Sequence, residues 1–176
     1  MKRALAALVM GLFLVAGGVP AAAQQDSKVC AESSGDEAIR ACTRAIDSGR
    51  NKGEALATLY YNRGWEYDEK REYQRAIRDY DRAIQINAKP NYFTNRGLAY
   101  ASLENFDRAI EDYDEAISMD PEHETAWNNR GVAYEKKGQL ARALKDFDKA
   151  IDIKPDYEKA INNRKRVRDA LRNKGS

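Results

Sequence analysis

Histidine and cysteine are scarce in this sequence, and charge of neither sign is in excess. The 176 residues include one histidine and two cysteines, and 30 lysines and arginines accompany 28 aspartates and glutamates. The single histidine, His123, lies in the segment DPEHET, which predicts a solvated turn, so no Ser/His/Asp set or metal cluster is available. No phosphate-binding loop is found either. The sequence therefore predicts a protein that is not an enzyme and has no cofactor or metal site.

The first residues have the features of a targeting segment. Two basic residues precede an apolar run over 4–19, which is followed by PAAAQQ. A short positive region, an apolar stretch of about 15 residues and a small-residue end are typical of a secretory signal peptide. Ala21 and Ala23 form the A-x-A pair, so 1–23 is predicted to be removed and Gln24 to begin a periplasmic or secreted protein. The alternative is an uncleaved anchor, although a spanning helix needs about 20 apolar residues.

The remaining residues, 24–176, are predicted to form a single domain of balanced charge. Without Lys2 and Arg3, 28 basic residues accompany 28 acidic ones, which argues against a general role in nucleic-acid binding. Cys30 and Cys42 both lie in this part, and in an oxidising compartment an isolated pair is most simply a disulfide. A redox or metal role is the alternative, but the spacing is not C-x-x-C and histidines do not accompany the pair.

A tetrapeptide recurs with a period of 33 or 34 residues. YNRG, TNRG, NNRG and NNRK place asparagines at Asn62, Asn95, Asn129 and Asn163. In the first three copies, apolar and small residues recur at helical spacing around the tetrapeptide and after it, whereas the fourth has Lys165 in place of the glycine. In the third copy they are Trp127, Gly131, Tyr134, Ala143, Leu144, Phe147, Ala150, Ile151 and then Pro155, which ends the helix. Each copy is predicted to be a helical hairpin whose helices approach most closely at the glycine and the first alanine.

This succession of aromatic, Gly, Tyr, Ala, aromatic, Ala and Pro resembles the tetratricopeptide repeat. The resemblance covers about 57–157 and implies an all-α fold, a right-handed superhelical solenoid of helix-turn-helix hairpins. An N-terminal half repeat, stapled by the disulfide, is expected at 24–53, and a basic capping helix is expected at 158–176. Three full repeats are expected between them, at 54–89, 90–123 and 124–157.

The resemblance also implies that one stripe of each first helix lines the concave groove of the superhelix. The four asparagines would then form a ladder similar to that of the O-linked N-acetylglucosamine transferase superhelix. A carboxamide offers donors and an acceptor without charge, which suits the backbone of an extended peptide. Bonding to neighbouring helices or to water is the alternative. The predicted peptide-binding groove consists of Tyr61, Asn62, Trp65, Thr94, Asn95, Leu98, Asn128, Asn129, Val132 and Asn163.

The arginine of the tetrapeptide stands where the family commonly has leucine. Aspartates follow it sixteen and eighteen residues later, at about the same level of the second helix. A guanidinium group suits a half-buried carboxylate, so a structural clamp within each hairpin is predicted, with a ligand contact as the alternative. The sets are Arg63 with Asp79 and Asp81, Arg96 with Asp112 and Asp114, and Arg130 with Asp146 and Asp148.

These features predict a non-catalytic scaffold of the cell envelope that binds a protein or peptide. Self-assembly, in which the groove or an end of the stack packs on another copy, is the alternative, and the oligomeric state is left open. From Glu158 onward, seven basic residues accompany two acidic ones. A solvated capping helix is the first interpretation of this segment, and weak contact with anionic lipid or an acidic partner is the second. Its basic residues include Arg164, Lys165, Arg166, Arg168, Arg172 and Lys174.

Overall fold

The computed structural model of the protein describes residues 21–174, and every regular element in that range is an α-helix. The predicted signal peptide at 1–23 therefore lies almost wholly outside the described residues. The helices in the described range are α1 (Ala21–Glu32), α2 (Gly35–Asp47), α3 (Gly53–Glu69), α4 (Tyr73–Ile86), α5 (Pro90–Ser102), α6 (Phe106–Met119), α7 (Glu124–Lys136), α8 (Leu140–Ile153) and α9 (Glu158–Lys174).

The helices form two layers. They pair as the hairpins α1–α2, α3–α4, α5–α6 and α7–α8, and α9 packs on the last hairpin. Each first helix also contacts the next first helix, from α1 through to α9. Within the described range, no second helix contacts the next second helix. Elements on the inner side of a curved stack lie closer together, so the first helices form the concave face and the second helices form the convex face. The fold is an all-α solenoid, as the sequence predicts.

The two helices of a hairpin approach most closely at a glycine. A Cβ atom added to Gly131 would lie 2.6 Å from the ring of Phe147, which is closer than packed carbon atoms approach one another. The predicted close approach at Gly131 is therefore confirmed. The other hairpins repeat it at 2.8 Å and 2.7 Å, between Gly64 and Tyr80 and between Gly97 and Tyr113.

The turns inside three hairpins place one residue in the left-handed region of backbone space. Arg71, Glu104 and Gly138 occupy equivalent positions, with φ angles of 62°, 58° and 74°. Glycine adopts this conformation without steric cost, whereas a side chain makes it unfavourable. Arg71 and Glu104 are therefore held in a backbone conformation that is unfavourable for any residue with a side chain.

The segment predicted as a half repeat contains a complete first helix before α2. The sequence predicts only a short stapled segment there, but α1 has 12 residues and packs along α2. Its sequence lacks the aromatic and glycine positions of the later first helices, so the repeat pattern does not reveal it. Cys30 and Cys42 are buried and disulfide-bonded, with Cα atoms 4.7 Å apart, which confirms the predicted pair. The predicted cleavage position after Ala23 falls in the first turn of α1.

The last helix covers the apolar face of the last hairpin. Val167 of α9 is buried against Ala143 and Phe147 of α8, and Ala160 is fully buried. Leu171, near the end of α9, remains 40% exposed. The helix therefore ends the stack with one polar side and one partly uncovered apolar residue.

Candidate functional site

Each arginine of the recurring tetrapeptide binds a buried aspartate of its own hairpin. Nε and Nη2 of Arg96 donate to the two carboxylate oxygens of Asp112, at 3.0 and 2.6 Å. This bidentate geometry compensates a carboxylate charge that would be costly to bury alone. The same arrangement, at 2.7 to 2.8 Å, joins Arg63 to Asp79 and Arg130 to Asp146. The predicted clamp is confirmed for these three pairs.

In the hairpins α3–α4, α5–α6 and α7–α8, the second aspartate binds the arginine of the following helix. Asp81 accepts a hydrogen bond from Nη1 of Arg96 at 2.6 Å, so its predicted pairing with Arg63 is wrong. Residues two apart on a helix point about 200° apart, so one aspartate faces its own first helix and the other faces the next hairpin. The same link recurs between Asp114 and Arg130 at 2.5 Å and between Asp148 and Arg164 at 3.0 Å.

The doubly bound arginines are fixed as cations. Burial lowers the pKa of Arg96 and of Arg130, but the hydrogen bonds and charges of two carboxylates outweigh it and hold each pKa above its ordinary value. The guanidinium carbon of Arg130 also lies 4.6 Å from the ring centroid of Trp127, where a cation–π attraction operates. These arginines are structural links between hairpins, and each of their three side-chain nitrogens donates to a carboxylate.

Arg63, at the first junction, has only one carboxylate partner. Its Nη1 donates at 3.0 Å to the hydroxyl of Thr43, which stands on α2 where α4 has Asp81 and α6 has Asp114. The Thr43 hydroxyl in turn donates to the Ile39 carbonyl at 2.7 Å. The guanidinium of Arg63 therefore donates hydrogen bonds to Asp79 and Thr43 but lacks the second negative charge that the later junctions provide.

Three apolar side chains follow one another along the layer of first helices. Trp65, Leu98 and Val132 occupy equivalent positions of α3, α5 and α7. Trp65 is 45% exposed, Leu98 is 42% exposed, and Val132 is half-buried. A row of exposed apolar residues at one position of successive repeats is typical of an interaction surface. We call these three residues the apolar row.

Two openings lie along the apolar row. Trp65 and Asn62 line a cleft of about 270 Å³ between α3 and the turn that joins α1 to α2. Leu98, Asn129 and Val132 line a smaller cavity of about 70 Å³ between α5 and α7. Tyr61 also lines the first cleft, so the structure brings six of the predicted groove residues to openings on the layer of first helices.

Two of the ladder asparagines bond to the preceding hairpin. Nδ2 of Asn95 donates to the hydroxyl of Tyr61 at 2.9 Å, and Nδ2 of Asn163 donates to Oδ1 of Asn128 at 2.9 Å. Tyr61 is in turn stacked on Tyr92, with ring centroids 4.6 Å apart. Asn95 and Asn163 therefore hold successive first helices together, which was the alternative role for the ladder.

The other two ladder asparagines keep free amide groups. Asn62 makes no hydrogen bond with any described residue. Asn129 uses only its oxygen, which accepts from Nδ2 of Asn128 at 3.2 Å. Donor and acceptor capacity therefore remains beside Trp65 and Leu98.

Thr94 and Asn128 do not lie on an open surface, contrary to the prediction. They are 4% and 3% exposed, because the following first helix covers their position. The Thr94 hydroxyl donates to the Pro90 carbonyl at 2.9 Å and lies 3.1 Å from Nε2 of His123. His123 is half-buried, so its predicted role as a solvated turn residue is corrected to a contact between α5 and the start of α7.

Asp68 has a buried acceptor without a partner. Within the described part of the chain, its Oδ1 and the hydroxyl of Tyr80 are buried polar atoms that make no hydrogen bond. Burial, together with the smaller effect of the negative charge of Glu69, raises the pKa of the Asp68 carboxyl to about 6. Asp68 follows Trp65 by three residues and so neighbours it on α3. Asp68 could not be identified from the sequence, where its only signal is this spacing from Trp65.

Three of the seven basic residues of α9 are paired with acidic residues of the preceding hairpin. Arg164 and Arg168 lie 3.0 and 3.7 Å from Asp148, and Arg166 lies 2.5 Å from Glu135. The ion pairs attach α9 to the hairpin before it. Among the described residues, His, Cys, Asp and Glu nowhere form a group that could hold a metal ion. None of the described helices combines the length and apolarity that crossing a membrane requires.

A curved stack of hairpins, closed by glycine–aromatic contacts and linked by arginines, defines an α-helical repeat protein. Sequence profiles described as tetratricopeptide repeat match residues 57–89 and 94–158, which together are more than half of the chain. The chain belongs to the tetratricopeptide-repeat family. No curated protein sequence matches it.

Solved structures share this fold. The first repeat domain of Spaghetti (RPAP3), bound to the HSP90 peptide SRMEEVD, is 26% identical with a TM-score of 0.66, over 70% of this chain and 98% of that one. The second repeat domain of human RPAP3, in complex with the HSP70 peptide SGPTIEEVD, is 26% identical with a TM-score of 0.63. The match covers 66% of this chain and 98% of that one. YrrB, described as having an unusual peptide-binding site, is 28% identical with a TM-score of 0.66. The match covers 73% of this chain and 65% of that one.

Proposed function

We propose that this protein is a non-catalytic scaffold that binds an extended peptide or protein segment along its concave face. The observation that carries the proposal is the apolar row, because Trp65 and Leu98 remain 45% and 42% exposed at equivalent positions of adjacent helices. The similar domains of RPAP3 that were solved with bound peptides, and YrrB with its peptide-binding site, support it.

The groove offers two kinds of contact to such a segment. The free amides of Asn62 and Asn129 can donate to peptide carbonyls and accept from peptide N–H groups whatever the side chains are. The apolar row supplies burial for side chains that point into the groove. The groove therefore suits an extended segment that has apolar side chains and free backbone N–H and C=O groups.

The place of action that we propose is the cell envelope or the medium. The sequence of 1–23 supports export, and the disulfide between Cys30 and Cys42 is of a kind that persists in oxidising compartments. Expression of the full chain followed by fractionation and N-terminal sequencing tests this. Export is supported if the recovered chain begins at Gln24, and is contradicted if it begins at Met1 in the cytosolic fraction.

Affinity capture with groove variants tests the binding function. The mature protein is immobilised and exposed to cell-envelope extract, beside a Trp65→Ala/Leu98→Ala variant and a Met119→Ala control. Met119 is equally exposed, at 45%, but lies on a convex helix. Partners retained by the wild type and the control but lost by the groove variant support the proposal. Identical capture by all three proteins contradicts it.

Self-assembly is the second candidate function. Leu171 of α9 is exposed and shares a cleft of about 600 Å³ with Leu140 at the C-terminal end of the stack. A second copy could cover these residues. Size-exclusion chromatography with light scattering distinguishes the two functions, because self-assembly predicts an oligomer that Leu171→Gln dissociates. A monomer at all concentrations excludes this candidate.

A further inference from the structure

A second cleft opens on the convex side, between α2 and α4. Its volume is about 640 Å³, and its floor is formed by Arg63 and Tyr67 of α3. It exists because the second helices spread apart along the outside of the curved stack. An equivalent cleft of about 370 Å³ lies between α6 and α8, above Arg130 and Tyr134.

The two clefts differ sharply in charge. The α6–α8 cleft has three cations and two carboxylates, Arg130, Arg142, Lys145, Asp114 and Asp146. The α2–α4 cleft has five arginines and a single carboxylate, Arg40, Arg44, Arg63, Arg75, Arg78 and Asp79. The difference arises mainly on one wall, because α2 has Arg40, Thr43 and Arg44 where α6 has Glu111, Asp114 and Glu115.

Some of these charges are already compensated. Arg44 is paired with Asp26 at 2.6 Å, and Arg75 is paired with Glu72 at 2.5 Å. Arg40 and Arg78 differ, since neither has a hydrogen bond or ion pair to any described residue. The acidic group that interacts with Arg40 over a longer distance is Asp36, whose carboxylate is bound by Lys70 at 2.6 Å.

The floor of the cleft shows which anion fits. Arg63 holds one carboxylate, whereas Arg96 and Arg130 each hold two. At the later junctions the second group is an aspartate from the preceding helix, and at the first junction it is the neutral hydroxyl of Thr43. The position that Thr43 occupies beside Arg63 is therefore occupied by a carboxylate at the two later junctions.

We propose that the α2–α4 cleft binds an acidic peptide segment. Its Asp or Glu carboxylates would pair with Arg40 and Arg78 on the two walls and approach Arg63 on the floor from the side where Thr43 stands. Guanidinium groups favour carboxylates because of their paired, planar donors. This site is separate from the concave groove and does not depend on the function proposed for it.

Fluorescence anisotropy with a labelled hexaglutamate peptide tests the proposal, with hexaglutamine as the uncharged control. The protein is the mature chain in low-salt buffer, because exposed charges are screened by salt. Arg40→Gln/Arg78→Gln should weaken hexaglutamate binding at least about fivefold, since two exposed ion pairs are lost. Lys145→Gln/Lys149→Gln removes the same charge from α8 and should leave the affinity nearly unchanged.

A second variant tests the role of the missing carboxylate. Thr43→Asp places a negative charge where the later junctions have one, so it should weaken hexaglutamate binding while the thermal stability is kept or increased. Thermal melts of all variants confirm that they are folded. Wild-type affinity in both cleft variants overturns the proposal, as does an equal loss in the α8 control. Tighter binding of tripolyphosphate than of hexaglutamate would also overturn it, because the cleft would then be a phosphate site.

Discussion

Arg96 and Asp81 are 2.6 Å apart although they belong to successive hairpins. The same guanidinium group holds Asp112 of its own hairpin through two hydrogen bonds. One side chain therefore fixes how a hairpin is placed on the one before it. The spacing of Trp65 and Leu98 along the concave face depends on this placement.

Loss of the arginine link should cost considerable stability. Arg96→Ala leaves Asp112, which is 4% exposed, without its partner, so the free energy of unfolding should fall by about 3 kcal/mol. Arg96→Lys should restore only part of it, because an ammonium group cannot match both carboxylate oxygens. Urea unfolding measures the change. Arg82→Ala, at an exposed arginine that bonds only to Gln85, is the control and should stay within about 0.5 kcal/mol of wild type. Equal losses in the two alanine variants would show that the link is dispensable.

Gly131→Leu should destabilise the protein by about 2 kcal/mol or more, because even a Cβ atom would meet the ring of Phe147 at 2.6 Å. Phe147→Leu in the same chain should recover part of that loss by making room. Urea midpoints of the single and double variants are the measurement. A wild-type midpoint for Gly131→Leu would mean that the helices are not in tight contact there.

Glycine should stabilise two of the turns. Arg71→Gly and Glu104→Gly should each raise the free energy of unfolding by about 0.5 kcal/mol, because both positions have φ near 60°. Gly138→Ala, at the equivalent turn, should lower it by about 1 kcal/mol. Thermal melts of the three variants provide the comparison. A loss in the first two variants would show that side-chain contacts outweigh the backbone strain.

Asp68 should make stability depend on pH. Its pKa in the folded protein is raised to about 6, so protonation favours the folded state. This contribution is fully present below the unfolded pKa and is lost as pH rises through about 6. Asp68→Asn should therefore raise stability at pH 8 by about 1 kcal/mol, a value reduced for partial solvent contact, and have little effect at pH 4. Melting curves at both pH values test this, and an equal effect at both would contradict the assignment.

The hairpins could be predicted from the sequence because their signature is local. Gly131 and Phe147 lie at offsets that the repeat fixes, and the distance between them follows from helix packing. Helix α1 could not be predicted, since QQDSKVCAE has neither an aromatic residue nor a glycine to mark it. The disulfide could be predicted because only one pairing of two cysteines exists.

The sites were predictable only in part. Which arginine an aspartate binds depends on how successive hairpins rotate against each other, so the partner of Asp81 could not be obtained from spacing. Burial of Thr94 and Asn128 has the same origin, because the following helix covers them. The convex cleft depends on the spreading of the second helices, and no residue pattern shows that in advance.

Photo-crosslinking from the groove tests whether a partner binds along the concave face. Benzoylphenylalanine is introduced in place of Leu98 on the concave face or in place of Met119 on the convex face, and the protein is irradiated with the envelope partner recovered by capture. Both positions are similarly exposed, at 42% and 45%. Binding along the concave face predicts a covalent adduct from position 98 and none from position 119. An adduct from position 119 alone would contradict binding along the concave face.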